Sequence, residues 1–266
     1  VLTGSTKEQA LFFIYGPSQT GKSRFVEALA GVMGDYACSA PMEAFIDHKG
    51  GHPTDLAGLR GSRLVTASET EENRSWAEAK VKTLTGQDRI SARFMRQDFF
   101  EFLPTFKILV AGNYRPRLKN PDGAMRRRFQ IIPFDKVIPE AERDKNLHEK
   151  LEAERPGILQ WMIDGCLDWQ DHGLNPPQAV SDSTDEYFEA EDTVGRWLEE
   201  ECTVGSGMTG RLGHLYGSWQ KWCETNGEFS GSNRRLGGLL DQRGFERWRD
   251  SDGSKGFRGL DAKNYQ

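Results

Sequence analysis

The sequence predicts an α/β fold with a parallel sheet, followed by a smaller C-terminal domain. Apolar runs of strand length alternate with helical patterns up to about residue 170, as in successive βαβ units. The glycine-rich stretch GPSQTGKS (16–23) lies between the first apolar run and the first helical pattern. Three short helical patterns and two strand patterns then fill the last part of the chain.

In the first domain, strands are predicted at 11–15, 62–68, 107–113 and 129–134, and helices at 22–34, 75–84 and 157–170. Apolar residues at helical spacing in the last helix predict a buried stripe formed by Ile158, Trp161, Met162 and Leu167. Residues 173–193 combine a proline pair with many acids, so we expect the domain junction there. The two domains are therefore expected to span 1–180 and 190–266.

The C-terminal domain is predicted to follow a winged-helix plan. Helical patterns at 194–202, 211–225 and 233–243 precede two strands around a glycine-rich turn. Its core is expected to contain Trp197, Trp219, Trp222 and Trp248. Arg234 and Arg235 lie near the start of the third helix, where a recognition helix contacts DNA. Winged helices also bind proteins, so both uses stay open.

Composition indicates an ordinary soluble globular protein. Hydrophobic residues make up 36% of the 266 residues and charged residues 28%. The sequence has neither the ~20-residue apolar run of a membrane span nor an N-terminal signal peptide. Its cysteines are not closely paired, so we expect reduced thiols and a cytoplasmic location; they are Cys38, Cys166, Cys202 and Cys223. Because the first residue is Val rather than Met, we expect a fragment of a longer protein.

The charges are strongly segregated along the chain, although the net charge is −5. Residues 89–128 contain ten Lys and Arg against three Asp and Glu, and residues 182–201 contain nine acids against one Arg. Residues 232–266 are again basic, with eight Lys and Arg against five acids. This pattern predicts two surfaces that face polyanions.

GPSQTGKS matches the phosphate-loop pattern G-x-x-x-x-G-K-[ST] and has the required strand before it and helix after it. The glycines let backbone N–H groups point at phosphate oxygens, and the helix adds its positive N-terminal end. We expect Lys22 to contact the β- and γ-phosphates and Ser23 to bind Mg²⁺. The expected ATP-binding residues are Gly16, Pro17, Ser18, Gln19, Thr20, Gly21, Lys22 and Ser23.

Polar residues follow two other predicted strands. Glu69 comes directly after one apolar run and is the expected metal-side and catalytic carboxylate, with Glu71 as the alternative. Asn113 ends another strand, where its amide could orient the water that attacks the γ-phosphate. The triplet Arg126–Arg128 precedes the next strand, and an arginine offered to a neighbouring subunit's nucleotide would stabilise the transition state.

The order of these stretches, GPSQTGKS, LVTASETEE, ILVAGN and AMRRRF, resembles superfamily 3 helicases, and more closely the helicase part of phage and plasmid primase–helicases of the satellite-phage type. The resemblance covers about residues 8–170. It implies an AAA+ ATPase that uses ATP and Mg²⁺ and forms a hexameric ring around single-stranded DNA, moving 3′ to 5′ in a bacterial host's cytoplasm, with a fused or associated primase or polymerase. Many members have two adjacent acids where this chain has Ser68–Glu69, so the roles of Glu69 and Glu71 stay open.

The resemblance also assigns roles to single residues. Arg128 matches the arginine finger best and Arg127 is next, so the choice between them stays open. Residues 90–106 alternate like two strands and resemble the hairpin that lines the ring channel, with Arg96 at its tip contacting phosphates. Phe99 and Phe100 flank the tip, where they could stack on bases or lie in the core. Lys82 and Arg93 are weaker candidates for DNA contact.

Two other functions fit parts of the sequence. A nucleotide-switched DNA-binding regulator would need the phosphate loop and the winged helix but no motor activity. A phosphate-loop kinase of a small metabolite would need an acceptor pocket, for which the sequence offers no clear residues. It would also leave the basic segment 89–128 unexplained.

Overall fold

The computed structural model describes residues 1–47, 54–69, 71–72, 74–119, 121–250 and 253–263 of the chain. The chain divides into two compact units, Val1–Glu191 and Asp192–Gln266. Within the described residues, no helix combines the length and apolar character needed to cross a bilayer.

The first unit contains both strands and helices. Its strands are β1 (Leu11–Tyr15), β2 (Ala37–Ser39), β3 (Leu64–Glu69), β4 (Ile90–Ala92), β5 (Phe100–Phe102), β6 (Lys107–Gly112) and β7 (Phe129–Pro133). Its helices are α1 (Lys22–Met33), α2 (Thr54–Ala57), α3 (Glu78–Thr85), α4 (Gly123–Arg126), α5 (Leu147–Ala153), α6 (Arg155–His172) and α7 (Gln178–Glu191).

Five of these strands form a parallel sheet in the order β2-β3-β6-β1-β7, which confirms the predicted parallel α/β core. The central strand β6 pairs with β1 on one side and with β3 on the other. Tyr15 and Glu69, the last residues of β1 and β3, both pair with Gly112 at the end of β6. Three strand ends therefore meet at one level of the carboxyl edge.

Each face of the sheet has its own apolar core. One face carries Phe13 and Phe129, which pack edge-on against Trp76, and the indole N–H of Trp76 donates to the Tyr187 hydroxyl at 2.9 Å. The other face packs Ile14 and Leu64 against α1 and α6. Buried aromatic residues therefore join the sheet to Tyr187, on a helix far away in the sequence.

That helix, α7, lies inside the predicted junction 173–193. Tyr187 and Phe188 are 2% and 3% exposed and belong to the apolar core of the sheet. Asp182, Glu186 and Glu189 lie on the exposed face of this amphipathic helix, which explains why the composition resembles a linker.

The predicted buried stripe of α6 is wrong for two residues. Met162 is buried and Ile158 is half-buried, but Trp161 is 61% exposed and Leu167 is 55% exposed. The helix packs against α1 and α5, and these two apolar residues lie outside those contacts at the surface.

The second unit consists of α8 (Thr193–Glu201), β8 (Cys202–Arg211), α9 (Leu212–Asn226), α10 (Asn233–Gln242), β9 (Glu246–Arg249) and β10 (Lys255–Ala262). Its strands form an antiparallel sheet in the order β8-β10-β9. Strand β8 was not predicted, because its glycines and polar residues give no alternating apolar pattern.

The core of the second unit is rich in tryptophan, as the sequence predicts. Trp197, Trp219 and Trp222 are at most 4% exposed, whereas Trp248 is half-buried. Burial raises the pKa of the Cys202 thiol to about 12 and that of Cys223 to about 11. These two thiols are therefore neutral at ordinary pH.

Candidate nucleotide-binding site

The loop 16–23 connects β1 to α1 through backbone conformations that favour glycine. Gly21 has φ 91° and Gln19 has φ 68°. A Cβ atom on Gly16 would lie 2.1 Å from the carbonyl oxygen of Phe134, so only glycine fits there. The two glycines of the predicted pattern thus serve separate needs, a close backbone approach at Gly16 and a left-handed turn at Gly21.

The Lys22 ammonium folds back over this loop. Its Nζ donates to the carbonyl oxygens of Gly16 at 2.7 Å and Pro17 at 2.6 Å, and it lies 3.4 Å from the Thr20 hydroxyl. The residue is only 8% exposed, and the loss of hydration lowers the pKa of its ammonium. The contacts hold a cation at the mouth of the loop, and its partners among the described residues are two carbonyl oxygens and a hydroxyl.

Helix α1 begins in a way that leaves its N-terminal end open to an anion. The first turn has no acidic residue, and no side chain caps it. Its leading N–H groups therefore keep their donor capacity, and the helix dipole adds positive potential. Ser23, in this first turn, is exposed.

Asn113 reaches the loop from the next strand. It follows β6 directly, and its side-chain amide donates to the Ser18 hydroxyl at 3.3 Å. Sequence analysis predicted that both residues belong to the nucleotide site but did not predict this contact. The structure therefore brings Asn113 together with the phosphate loop.

The two predicted carboxylates differ in position. Glu69 is the last residue of β3, and its backbone pairs with Gly112; its side chain lies outside the described part of the structure. Glu71 makes an ion pair with Arg74, with 3.3 Å between Oε2 and Nε. The backbone register thus brings Glu69 to the same edge as the phosphate loop.

Two features at this edge were not predicted from the sequence. After β7 the chain passes beside the loop: the Phe134 N–H donates to the Tyr15 carbonyl at 2.7 Å, and the Ile138 N–H donates to the Gln19 carbonyl at 2.9 Å. These are backbone contacts, which no side-chain pattern can reveal. The guanidinium carbon of Arg115 lies 4.0 Å from the centroid of the Tyr15 ring. Its position two residues after Asn113 was the only available signal.

The three consecutive arginines have three different environments. Arg126 makes an ion pair with Asp185 of α7. Arg128 is 6% exposed; its Nε donates to the Thr85 hydroxyl at 3.1 Å and its Nη1 to the Ala124 carbonyl at 2.7 Å. Arg127 is exposed, and its side chain makes no hydrogen bond or ion pair within the described residues. Of the two candidate fingers, only Arg127 is at the surface.

These arginines lie at the amino edge of the sheet, away from the phosphate loop of their own chain. Phe129 at the start of β7 pairs with Leu11, and Pro133 at its end pairs with Tyr15. Four strand steps separate the two edges by about 13 Å. Arg127 therefore lies at the far edge from Lys22 of the same molecule.

Strands β4 and β5 form an antiparallel hairpin with an exposed tip, as predicted. Arg96 lies in the tip with φ 60° and is exposed. The guanidinium carbon of Arg93 lies 4.8 Å from the centroid of the Phe99 ring, which is 59% exposed. Phe100 is half-buried and packs against the core, so only one of the two flanking phenylalanines is free to reach a ligand.

Lys82 lies on α3 rather than on the hairpin. Its Nζ makes an ion pair with Asp122 Oδ2 at 2.6 Å. This predicted DNA contact is therefore engaged within the protein.

In the second unit, some of the exposed cations form ion pairs with carboxylates and others do not, within the described residues. Arg247 pairs with Asp241, Arg258 with Glu246 and Arg243 with Asp192. Four other exposed cations have no carboxylate partner within the described residues: Arg234, Arg235, Arg249 and Lys255. Arg249 and Lys255 are directly opposite each other on β9 and β10, where like charges are unfavourable without an anion nearby.

A protein family and several known proteins are similar to this chain. A family described as "Family of unknown function (DUF5906)" matches residues 14–128. Two viral proteins named "Putative helicase" are distant homologues. The one from Acanthamoeba polyphaga mimivirus is 24% identical over 85% of this chain and 26% of its own length. The one from Frog virus 3 (isolate Goorha) is 22% identical over 84% of this chain and 25% of its own length. The chain thus spans about a quarter of these relatives.

Among solved structures, an apo form of the NrS-1 C-terminal region is similar, with a TM-score of 0.51 and 14% identity. The match covers 72% of this chain and 46% of that one. At this identity the likeness concerns the fold. Fold and site together define an α/β protein with a phosphate-loop-like core.

Proposed function

We propose that the chain is an ATP-dependent DNA helicase of the superfamily 3 (AAA+) class that translocates 3′ to 5′ on single-stranded DNA. In this proposal it is the helicase part of a larger primase–helicase, acts as a hexameric ring, and serves phage or plasmid replication in a bacterial cytoplasm. One observation carries the proposal: the Lys22 loop, the end of β3 at Glu69 and Asn113 meet at one edge of the sheet. The names of the viral relatives support a helicase-like role.

In nucleotide binding, Lys22 exchanges the carbonyls of Gly16 and Pro17 for the β- and γ-phosphates of ATP. The phosphates provide negative charge, which none of the described partners of the ammonium carries. The loop N–H groups and the open end of α1 bind the remaining phosphate oxygens. The carbonyl and hydroxyl oxygens that surround Lys22 among the described residues are neutral acceptors that such an exchange can replace.

The donors available for Mg²⁺ are oxygens, which this ion prefers. Ser23 and Glu69 would hold it, and it supplies charge neutralisation at the phosphates when bound. No cluster of three or more His, Cys, Asp and Glu residues occurs in the described ranges. Mg²⁺ would take its remaining ligands from phosphate and water.

In hydrolysis, the amide of Asn113 orients the attacking water, and Glu69 accepts its proton, with Glu71 as the alternative. Arg127 would act on the nucleotide of a neighbouring subunit, because it lies at the opposite edge from its own phosphate loop. Burial and internal hydrogen bonds make Arg128 the less suitable of the two candidates.

For DNA, the proposed contacts are on two surfaces. The exposed tip of the β4–β5 hairpin offers Arg96 and Arg93 to phosphates and Phe99 to a base. In the second unit, which we propose to be a winged-helix-like domain, Arg234 and Arg235 at the start of α10 contact the DNA backbone. Arg249 and Lys255 add two unpaired cations on the wing.

The central test is ATP hydrolysis by the purified chain with and without single-stranded DNA. We expect hydrolysis that DNA stimulates, and unwinding of a forked duplex with a 3′ tail, both lost in Lys22→Ala. Hydrolysis without stimulation or unwinding would favour a nucleotide-switched regulator. Phosphate transfer to a small molecule, or no hydrolysis by the assembled protein, would overturn the proposal.

A second test concerns DNA contact by the second unit. We expect the double variant Arg249→Ala, Lys255→Ala to weaken DNA binding uniformly across sequences. The logarithm of the association constant should also fall less steeply with the logarithm of the salt concentration, by about 2 in the magnitude of the slope. Arg247→Ala with Arg258→Ala removes two paired cations and is the matched control. An unchanged salt slope in the first variant would contradict the assignment.

A further inference from the structure

Two polar contacts join α3 to α4. In the first, Lys82 Nζ of α3 lies 2.6 Å from Asp122 Oδ2. Asp122 is also the N-cap of α4, since its Oδ1 accepts the Met125 N–H at 2.8 Å. Burial would raise the pKa of Asp122, but hydrogen bonds from Lys82 and the Met125 N–H outweigh it and hold the pKa below its usual value. The carboxylate thus binds both helices at once.

The second contact lies deeper. Thr85, the last residue of α3, is 3% exposed, and its hydroxyl accepts the hydrogen bond from Arg128 Nε at 3.1 Å. The same hydroxyl donates to the Val81 carbonyl at 2.7 Å, within α3. Arg128 in turn donates to the Ala124 carbonyl of α4. A continuous hydrogen-bonded path therefore runs from α3 through Arg128 to α4.

Each joined helix leads directly to a surface that the proposed function uses. Four residues separate Thr85 from Ile90, where the β4–β5 hairpin begins. On the other side, Arg127 follows α4 and precedes the buried Arg128. The contacts therefore connect the segment that carries the exposed arginine to the segment that carries the hairpin.

Burial makes the connection stiff. A guanidinium that loses Thr85 would remain buried with an unsatisfied N–H, which is costly, so the two segments are expected to shift together rather than separate. The backbone carbonyl of Arg128 also accepts the Leu11 N–H at 2.7 Å, which ties this point to the start of β1. A displacement of Arg127 would thus be transmitted through Arg128 and Thr85 to the start of the hairpin.

We propose that Lys82, Thr85, Asp122 and Arg128 are positioning residues that couple the nucleotide state at a subunit boundary to the hairpin that holds DNA. The inference rests on the proposed function. Lys82 and Arg128 act inside the subunit, since Lys82 is paired with Asp122 and Arg128 is buried, and both transmit the position of Arg127 to α3.

The test compares Lys82→Met and Thr85→Val with Lys80→Met and Thr83→Val, neighbouring changes on the same helix that leave both contacts intact. ATP hydrolysis is measured with and without single-stranded DNA. DNA affinity is measured with and without a non-hydrolysable ATP analogue. We expect the test variants to keep DNA-free hydrolysis within about threefold and to lose about tenfold in DNA stimulation, a size typical of coupling between sites. The analogue should no longer change their DNA affinity, and the control variants should behave as wild type.

Lys82→Arg keeps a cationic donor and should restore stimulation, which loss of packing alone would not explain. Thermal unfolding shows whether Thr85→Val folds; Lys82→Met tests the coupling even if it does not. Wild-type stimulation and wild-type analogue dependence in Lys82→Met would overturn the inference while leaving the proposed function standing. A wild-type protein without DNA stimulation would remove the proposed function, and the coupling with it.

Discussion

The side-chain amide of Asn113 donates a hydrogen bond to the hydroxyl of Ser18 across 3.3 Å and joins the end of β6 to the phosphate loop. The contact depends on sheet order, because β6 lies between the strand that enters the loop and the strand that ends at Glu69. An amide in this position can face a phosphate-bound water once the loop holds a nucleotide.

Replacement of Asn113 by Ala should slow hydrolysis without preventing binding. We expect kcat to fall about 10²-fold, the effect of removing one oriented polar group from an active site. The affinity for a fluorescent ATP analogue should stay near that of wild type. Ser18→Ala removes only the hydroxyl that accepts the hydrogen bond from Asn113 and keeps the backbone N–H groups of the loop. This variant should retain most of the hydrolysis rate. A fully active Asn113→Ala variant would exclude the proposed role.

Arg127→Ala and Arg126→Ala form a matched pair, since both side chains are at the surface and, within the part of the chain that the structure describes, Arg126 has an ion pair and Arg127 has none. We expect Arg127→Ala to lower hydrolysis about 10³-fold or more at protein concentrations where wild type is assembled. Arg126→Ala should stay near the wild-type rate. Equal losses in both variants would point to a general effect of charge.

Arg128→Ala should lower stability, because it removes a buried guanidinium and leaves the Thr85 hydroxyl and the Ala124 carbonyl without this donor. The expected decrease in the free energy of unfolding is about 2–3 kcal/mol. Urea denaturation measures it. Arg127→Ala, at the surface, should change stability by less than about 0.5 kcal/mol.

One glycine substitution should abolish nucleotide binding, and another should stabilise the protein. Gly16→Ala places a methyl group 2.1 Å from the Phe134 carbonyl oxygen, so the loop must move and nucleotide binding should be lost. Gly165→Ala in α6 meets no atom within 4 Å and should stabilise the protein by about 0.5–1 kcal/mol. Isothermal titration and thermal unfolding check the two expectations. Retained nucleotide affinity in Gly16→Ala would contradict the close approach.

The buried thiols give a prediction on pH. Because burial raises the pKa of Cys202 to about 12 and of Cys223 to about 11, iodoacetamide at pH 8 should modify Cys38 and Cys166 first. The unfolded thiols ionise near pH 9 while the folded ones stay protonated, so their contribution to stability is lost as the pH rises from about 9 to 12. Mass spectrometry of the alkylated protein and unfolding at several pH values test both parts.

The sequence predicted the parts of the fold that leave a periodic signature. Strand β1 was predicted at its observed bounds, since LFFIY is apolar throughout and ends at a glycine. Strand β8 and helix α7 could not be found this way. The first is rich in glycine, and the second has an acidic outer face that resembles a linker. Both depend on partners distant in sequence, strand β10 for β8 and the aromatic core for α7.

The candidate site shows the same division. The phosphate loop is a local pattern, so its residues could be named from the sequence. The different environments of the three arginines could not be predicted, because the partners are distant in sequence. Asp185 is 59 residues from Arg126, and Thr85 is 43 residues from Arg128. Identical side chains in a row differ only through what the fold places beside each one.

The position of Arg127 at one edge of the sheet and of Lys22 at the other has a consequence for symmetry. A contact that brings the arginine of one copy to the loop of the next joins unlike surfaces, so it is heterologous and head-to-tail. An open series of copies then has one free loop at one end and one free arginine at the other until it closes on itself. A series whose rotation per copy does not close would instead continue as a helical filament.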